Sequence, residues 1–367
     1  MANKQRNVVV DLFKGLAILT TLYGHAALVI GVLDLPLHSK ISIIGQIELL
    51  ASIPLFFFLS GYTTTSDLLY VKNLFLRLFK LYIPYAIAIL FLIFILYFYQ
   101  NSVPSFVFKY FLLQGRELPS YFEMVPSSMW FFPNFFLVCL TTPFLLRLSK
   151  NHNLSLFFLL LLIIVNCLFS FNDTQVGQVI IYSIINLHFF FFYLFFYFLG
   201  IYIKNRTISG REFCFMTLAL LPIALYTLKL FDFRSLHILM FPPKIPFLLV
   251  SLFSILLFLY FQNYENKFRL LLSKSYFLKF LNYTGKNVFI IYLYQGFICS
   301  ALYESIIKQP TTSNPYILLF FSFIVILLGT YPLVLIFNKI NALTLKMIFK
   351  VSLSIYQKLK TNIVTST

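Results

Sequence analysis

The sequence has few charged residues, which make up 11% of the chain, whereas hydrophobic residues make up 60%. Soluble globular domains have about a quarter of their residues charged, so a surface that faces water over most of its area is excluded. Phenylalanine occurs 48 times and tryptophan once. Together with a mean hydropathy of +0.89, this composition indicates an integral membrane protein.

Cysteine is also scarce, and the four cysteines have no paired spacing. They are Cys139, Cys167, Cys214 and Cys299, each inside an apolar run. We therefore expect four buried thiols, and neither a disulfide framework nor a metal site. The first apolar run is too long for the core of a cleavable signal peptide, so we expect it to remain as the first membrane span.

Apolar stretches of about 20 residues, the length that crosses a bilayer as a helix, recur along the chain. We predict an all-α integral membrane protein with about ten transmembrane helices, all within a membrane domain at residues 1–340. The stretches fall near 8–31, 41–62, 79–99, 127–147, 154–171, 177–203, 213–230, 245–262, 286–306 and 316–338.

Basic residues are distributed unevenly between the two sides of this ten-span arrangement. Of the 28, twenty lie on the side that carries both termini, seven lie on the opposite side, and Lys14 lies within a span. Cytoplasmic loops are enriched in Lys and Arg, so both termini are predicted to be cytoplasmic. The net charge of +17 is then a topology signal, and no nucleic-acid partner is expected.

The last part of the chain, 341–367, has lysines spaced among apolar residues, such as Lys346 and Lys350 near Leu343 and Ile348. This pattern predicts a basic amphipathic helix in the cytoplasm, lying on the lipids of the inner leaflet.

A few ionisable residues lie inside the predicted spans, where they are costly and usually functional. Lys14 and His25 are eleven residues apart, which places them within roughly 20° of the same helix face with a rise of about 16 Å. Asp11 can pair with Lys14 at the inner mouth. Glu48, about 10 Å below the outer surface on the second span, can orient the His25 imidazole and raise its basicity.

Structural alternatives exist for each of these residues. Asp11 and Lys14 can form an interfacial ion pair that only anchors the helix. Glu48 can face a pocket of hydroxyl groups without a catalytic part. His188, within a phenylalanine run of the sixth span, fits a packing histidine that is hydrogen-bonded between helices.

Several blocks resemble the acyltransferase-3 family of membrane O-acyltransferases. In that family an Asp is followed by a basic residue and Gly, and a His stands eleven positions after the basic residue; Asp11, Lys14, Gly15 and His25 match this pattern. Further matches are the block 53–62, Ile-Pro-Leu-Phe-Phe-Phe-Leu-Ser-Gly-Tyr, and the basic segment from Arg77 to Tyr85. Weaker ones are 129–133 and 285–293, and Gln295 stands where relatives often have His.

The resemblance implies a stand-alone acyltransferase in a bacterial inner or plasma membrane, without an appended hydrolase-like domain. It implies transfer of an acyl group, usually acetyl, from acetyl-CoA as co-substrate to a hydroxyl of a cell-envelope glycan. We expect no permanently bound cofactor. A homodimer is compatible with the sequence. From the residues and the resemblance together we expect catalysis by His25 with Glu48, Lys14 and Asp11, acyl-CoA binding by Arg77, Lys80, Lys72, Ser60 and Tyr62, and an acceptor side at Trp130 and Asn134.

The residues also permit another class of function, a flippase or exporter of lipid-linked or polymeric glycan. Buried polar residues suit a conduit as well as an enzyme. A conduit does not explain why a basic residue and a histidine share one stripe of the first span while Arg77 and Lys80 stand on the inner side. We therefore favour acyl transfer, with His25 as general base or as a carrier of the acyl group.

Overall fold

The computed structural model describes residues 6–31, 53–101, 103, 106–109, 111, 131–171, 180–181, 185–204, 206–230, 244–307 and 315–365. These residues form an α-helical protein with one minimal hairpin. Its strands, β1 (Ile180–Ile181) and β2 (Ile185–Asn186), pair antiparallel. Glu48 and Trp130 lie outside the described residues, so their predicted roles stay predictions.

The helices follow the apolar runs of the sequence. In the first half they are α1 (Val8–Gly31), α2 (Ile53–Tyr62), α3 (Val71–Gln100), α4 (Phe106–Lys109), α5 (Phe131–Leu140), α6 (Thr142–Leu148) and α7 (His152–Phe171). In the second half they are α8 (Leu187–Tyr202), α9 (Gly210–Leu230), α10 (Ile245–Phe261), α11 (Glu265–Lys274), α12 (Tyr276–Lys286), α13 (Val288–Ile307) and α14 (Pro315–Thr365).

Six helical stretches in the described part of the chain are long and apolar enough to cross a membrane, and α5 with α6, bent by 50°, would make a seventh. The six are Val8–Ala27, Val71–Phe98, His152–Ser170, Gly210–Leu230, Ile245–Lys274 and Ile317–Ile348. Shorter apolar helices are Ile53–Tyr62, Leu187–Tyr202 and Val288–Tyr303. Apart from the short hairpin, the structure thus confirms a helical protein with several apolar helices, while the count of ten stays a prediction.

The structure corrects three details of the sequence interpretation. The helix of the third span begins at Val71 rather than near 79, so Lys72 and Arg77 lie on the same helix as Lys80. Cys214 is exposed on α9, whereas Cys139 and Cys299 are buried as predicted. The last helix, α14, runs unbroken across residue 340, so the predicted tail continues a helix that begins in the apolar region.

Two pairs of helices are held together by reciprocal glycine contacts. A Cβ atom at Gly285 of α12 would lie 1.7 Å from the Asp11 carbonyl oxygen, and one at Gly15 would lie 2.1 Å from the Leu281 carbonyl oxygen. Between α2 and α8, Gly61 and Gly200 approach the partner backbone in the same way. In membranes such small residues let helices pack closely. These glycines therefore set the distance between α1 and α12 and between α2 and α8.

One end of the bundle collects several helix ends that are far apart in sequence. Asn7 donates to the side-chain oxygen of Gln262 at 2.8 Å, which joins the start of α1 to the end of α10. Arg269 of α11 reaches the backbone carbonyl of Arg6 at 3.4 Å. Lys204, just after α8, donates to the Thr64 carbonyl oxygen after α2. We call this region the basic end.

Candidate active site

The first helix brings an acidic residue and two cations together at the basic end. Asp11 is 1% exposed, and its carboxylate pairs with the Arg6 guanidinium at 2.7 Å. Lys14, one turn further on, is half-buried, and the charges of Asp11, Arg6 and Arg77 all act on its ammonium group. Lys14 and Arg77 therefore lie close enough for their charges to interact, although the two residues belong to different sequence motifs.

Arg77 points into the bundle. Its guanidinium donates to Ser60 Oγ at 3.0 Å and to Thr64 Oγ1 at 3.3 Å. Among the described residues, ion pairs join Arg6 to Asp11 and Arg269 to Glu265. Within that part of the chain, Arg77 is thus held by neutral hydroxyl groups and not by a carboxylate, which leaves its positive charge available to an anion.

The tyrosine Tyr197 of α8 completes this polar layer. Its hydroxyl hydrogen-bonds to Thr64 at 3.2 Å and to Thr142 at 2.7 Å. Thr142 is the first residue of α6, directly after the 50° bend between α5 and α6. We call Ser60, Thr64, Arg77, Thr142 and Tyr197 the hydroxyl layer. It brings together residues from α2, α3, α6 and α8 and from the turn after α2, with the Arg77 guanidinium bound to two of its hydroxyl groups.

Sequence reasoning found Arg77 and Ser60 but missed Thr64, Thr142 and Tyr197. A hydroxyl-bearing residue within the phenylalanine run of α8 is the signal that was available, because a buried tyrosine hydroxyl normally needs a hydrogen-bond partner.

The other predicted donor-binding residues are separated by the structure. Lys72 and Lys80 are exposed on α3, whereas Arg77 is turned inward. Tyr62 is buried, and its ring packs edge-on against Phe258 at 5.1 Å. The ammonium groups of Lys72 and Lys80 therefore lie on the surface of α3 and the Arg77 guanidinium is turned inward, while Tyr62 packs against α10.

Next to the hydroxyl layer lies a layer of aromatic rings. Phe57 stacks on Tyr193 at 4.3 Å and contacts Phe131 at 5.2 Å between ring centroids, and Phe131 lies 5.0 Å from Tyr292. Along α2 and α8, Phe57 and Tyr193 stand three to four residues from Ser60 and Tyr197, which is about one helical turn. We call these four rings the aromatic layer. Asn134, predicted on the acceptor side, is buried on α5 beside it.

The histidines differ in their surroundings. His25 lies on α1 and is half-buried, and its Nδ1 atom is buried. Two residues away, Tyr23 contacts Phe323 of α14 at 5.9 Å. His188 is 1% exposed and stacks on Phe169 at 5.1 Å, an environment that suits a packing histidine. Glu48 lies outside the described residues, so its predicted contact with the His25 imidazole stays a prediction.

Comparison with protein families defines the class of this protein. A family model for an acyltransferase domain, that of the acyltransferase-3 family, matches residues 7–337. The chain therefore belongs to the acyltransferase-3 family and is a multi-pass membrane acyltransferase. Comparison with curated proteins and with solved structures finds no match.

Proposed function

We propose that this protein is a membrane O-acyltransferase. It moves an acyl group, acetyl in the first instance, from cytoplasmic acyl-CoA to a hydroxyl of a cell-envelope polysaccharide or glycolipid. The observation that carries the proposal is the basic end, where Arg77 is held by hydroxyl groups without a carboxylate among the described residues. A partly buried cation of this kind is stabilised when a polyanion binds it.

The proposal places the basic end in the cytoplasm of a ten-span protein in a bacterial inner or plasma membrane, with the tail 341–367 on the inner leaflet. The charge asymmetry supports this orientation. A second, independent support is that side-chain contacts join the start of α1 to the end of α10, and the end of α2 to the first turns of α3 and to the end of α8. These are ends that the ten-span arrangement assigns to the same side.

Donor binding divides between the surface and the interior. The ammonium groups of Lys72 and Lys80 meet the phosphates of acyl-CoA first, because they are exposed. The guanidinium of Arg77, fixed by Ser60 and Thr64, binds the part of the donor that enters the bundle. A fixed guanidinium loses less rotational freedom on binding than a free side chain, which favours a defined pose.

Acyl transfer then uses His25. Its imidazole takes the proton of the acceptor hydroxyl while that oxygen attacks the thioester carbonyl carbon. The C–O bond forms, the C–S bond breaks, and the proton passes from the imidazole to the leaving thiolate of CoA. In the alternative order the imidazole nitrogen is acylated first and the hydroxyl displaces it. Both routes use the same groups and give the same products.

Mass spectrometry of surface glycans from cells with and without the intact gene tests the proposal. We expect one additional acyl unit on a glycan when the gene is present, and its loss in a strain that expresses His25→Gln at normal level. Glycans that reach the surface in lower amount, with unchanged mass, would contradict the proposal and would instead indicate a flippase or exporter.

A further inference from the structure

Helix α13 places an amide group in the interior of the bundle that the mechanism above does not use. Gln295 is 0% exposed. Both its side-chain oxygen and its side-chain nitrogen are buried without a hydrogen-bond partner in the part of the chain that the structure describes. The neighbouring Tyr294 stacks on Phe337 at 4.0 Å, so packing fixes the helix at this point.

Gln295 lies about one helical turn from Tyr292, a residue of the aromatic layer. It stands three residues after Tyr292, so that the two side chains are about 60° apart around the helix axis. The ring of Tyr292 contacts Phe131 at 5.0 Å, and Phe289, one turn before Tyr292, contacts Phe132 at 5.6 Å. The helix also packs against α1, which carries Lys14 and His25.

An amide in this state is unfavourable for the folded protein. A buried polar group without a partner destabilises the folded protein, and a leucine or methionine of similar size would avoid that cost. The side chain has two donor hydrogens and one acceptor oxygen. A ligand that carries a carbonyl oxygen would accept a hydrogen bond from the side-chain nitrogen and remove part of that cost.

We propose that Gln295 binds the acyl carbonyl of the donor. The inference rests on the proposed function. As the acceptor oxygen attacks, the carbonyl π electrons move to the carbonyl oxygen, and an N–H of Gln295 donates to the resulting oxyanion. The oxyanion then collapses and expels the CoA thiolate, which takes the proton held by His25. Because negative charge develops only in the transition state, the contact acts mainly on kcat.

The test measures acyl transfer from acetyl-CoA and the melting temperature of Gln295→Leu in purified protein. We expect kcat to fall about 10²–10³-fold, the effect of losing one oxyanion donor, with the donor KM within a factor of three. The melting temperature should stay equal or rise, because an unpaired buried amide is removed. Asn341→Leu is the matched control, since Asn341 is also a buried amide without a partner among the described residues. It should gain stability and keep kcat.

A Gln295→Leu protein that is stable and retains kcat would overturn the assignment. Should this variant not accumulate, Gln295→Met, which keeps the length and the unbranched shape of the side chain, decides by the same criterion. A melting temperature well below wild type for Gln295→Met would show that the amide is paired in the folded protein and would also overturn it. The proposed function fails in a different way: the wild-type protein itself would then show no acyl transfer.

Discussion

At the scale of single residues, the first turns of α3 divide one basic motif into two environments. Arg77 is directed at Ser60 and Thr64, while Lys80, three residues later, is exposed. An inward guanidinium without a carboxylate partner in the described chain is both a binding group and part of the packing. An exposed ammonium group can only bind a ligand. The same substitution at Arg77 and at Lys80 should therefore affect stability differently.

We expect Arg77→Gln to raise the apparent KM for acyl-CoA about 10–100-fold, because one charge-assisted contact contributes about 1–3 kcal/mol. It should also lower the melting temperature, since Ser60 and Thr64 lose their donor. Lys80→Gln should raise the donor KM less than tenfold and leave the melting temperature unchanged. Donor titration and thermal unfolding of the purified variants measure both. Equal effects at the two positions would contradict the division.

The hydroxyl layer allows a finer test at residue scale. Tyr197→Phe removes one oxygen and its hydrogen bonds to Thr64 and Thr142, yet keeps the ring. If this hydroxyl positions Arg77 through Thr64, the donor KM should rise roughly 3–10-fold, with kcat within a factor of two. Phe196→Leu, a change in a buried ring on the same helix, should lower stability without changing the donor KM. A Tyr197→Phe protein that loses stability but keeps the wild-type donor KM would show that the hydroxyl only supports packing.

At the scale of helices, four glycines decide which pairs can approach. A Cβ atom at Gly61 would lie 1.9 Å from the Tyr197 carbonyl oxygen, and one at Gly200 would lie 2.1 Å from the Phe58 carbonyl oxygen. Backbone atoms cannot move aside as side chains can, so a larger residue must push α2 and α8 apart. Because Ser60 and Tyr197 belong to these two helices, the glycine contacts set the geometry of the hydroxyl layer.

Gly61→Ala should therefore destabilise the protein by about 3 kcal/mol, the upper part of the usual range for overpacking, and should weaken donor binding. Gly210→Ala is the control, because a Cβ atom at the start of α9 would meet only the Tyr260 ring at 3.6 Å. Thermal unfolding of both variants in the same detergent measures the difference. Similar melting temperatures for the two variants would show that α2 and α8 are not held by close backbone contact.

At the scale of the whole molecule, the sequence predicts the helical class well, since apolar runs and membrane thickness together determine it. The runs around residues 8–31, 154–171 and 245–262 coincide with helices to within a few residues. The hydroxyl layer was not predictable in the same way. Thr64, Thr142 and Tyr197 are 55 to 133 residues apart in their hydrogen-bonded pairs, and neither periodicity nor composition encodes which helices become neighbours.

The orientation of the molecule gives a prediction at this scale. Single cysteines in a background without Cys139, Cys167, Cys214 and Cys299 should be labelled from outside near 35, 115, 173, 238 and 310. Positions near 70, 150, 207 and 270 should react only after the membrane is permeabilised, because they carry the basic excess. The exposed Cys214 must be removed first. Labelling at 207 or 270 in intact cells would contradict the ten-span arrangement.

The central claim is that His25 transfers a proton or an acyl group inside a membrane acyltransferase. Glutamine can hydrogen-bond in place of histidine but can do neither. The most direct measurement is acyl transfer by purified wild-type and His25→Gln protein in nanodiscs, with equal expression and monodispersity. We predict normal folding and a loss of roughly 10²–10⁴ in turnover for His25→Gln. Near-normal turnover in that variant would contradict the claim.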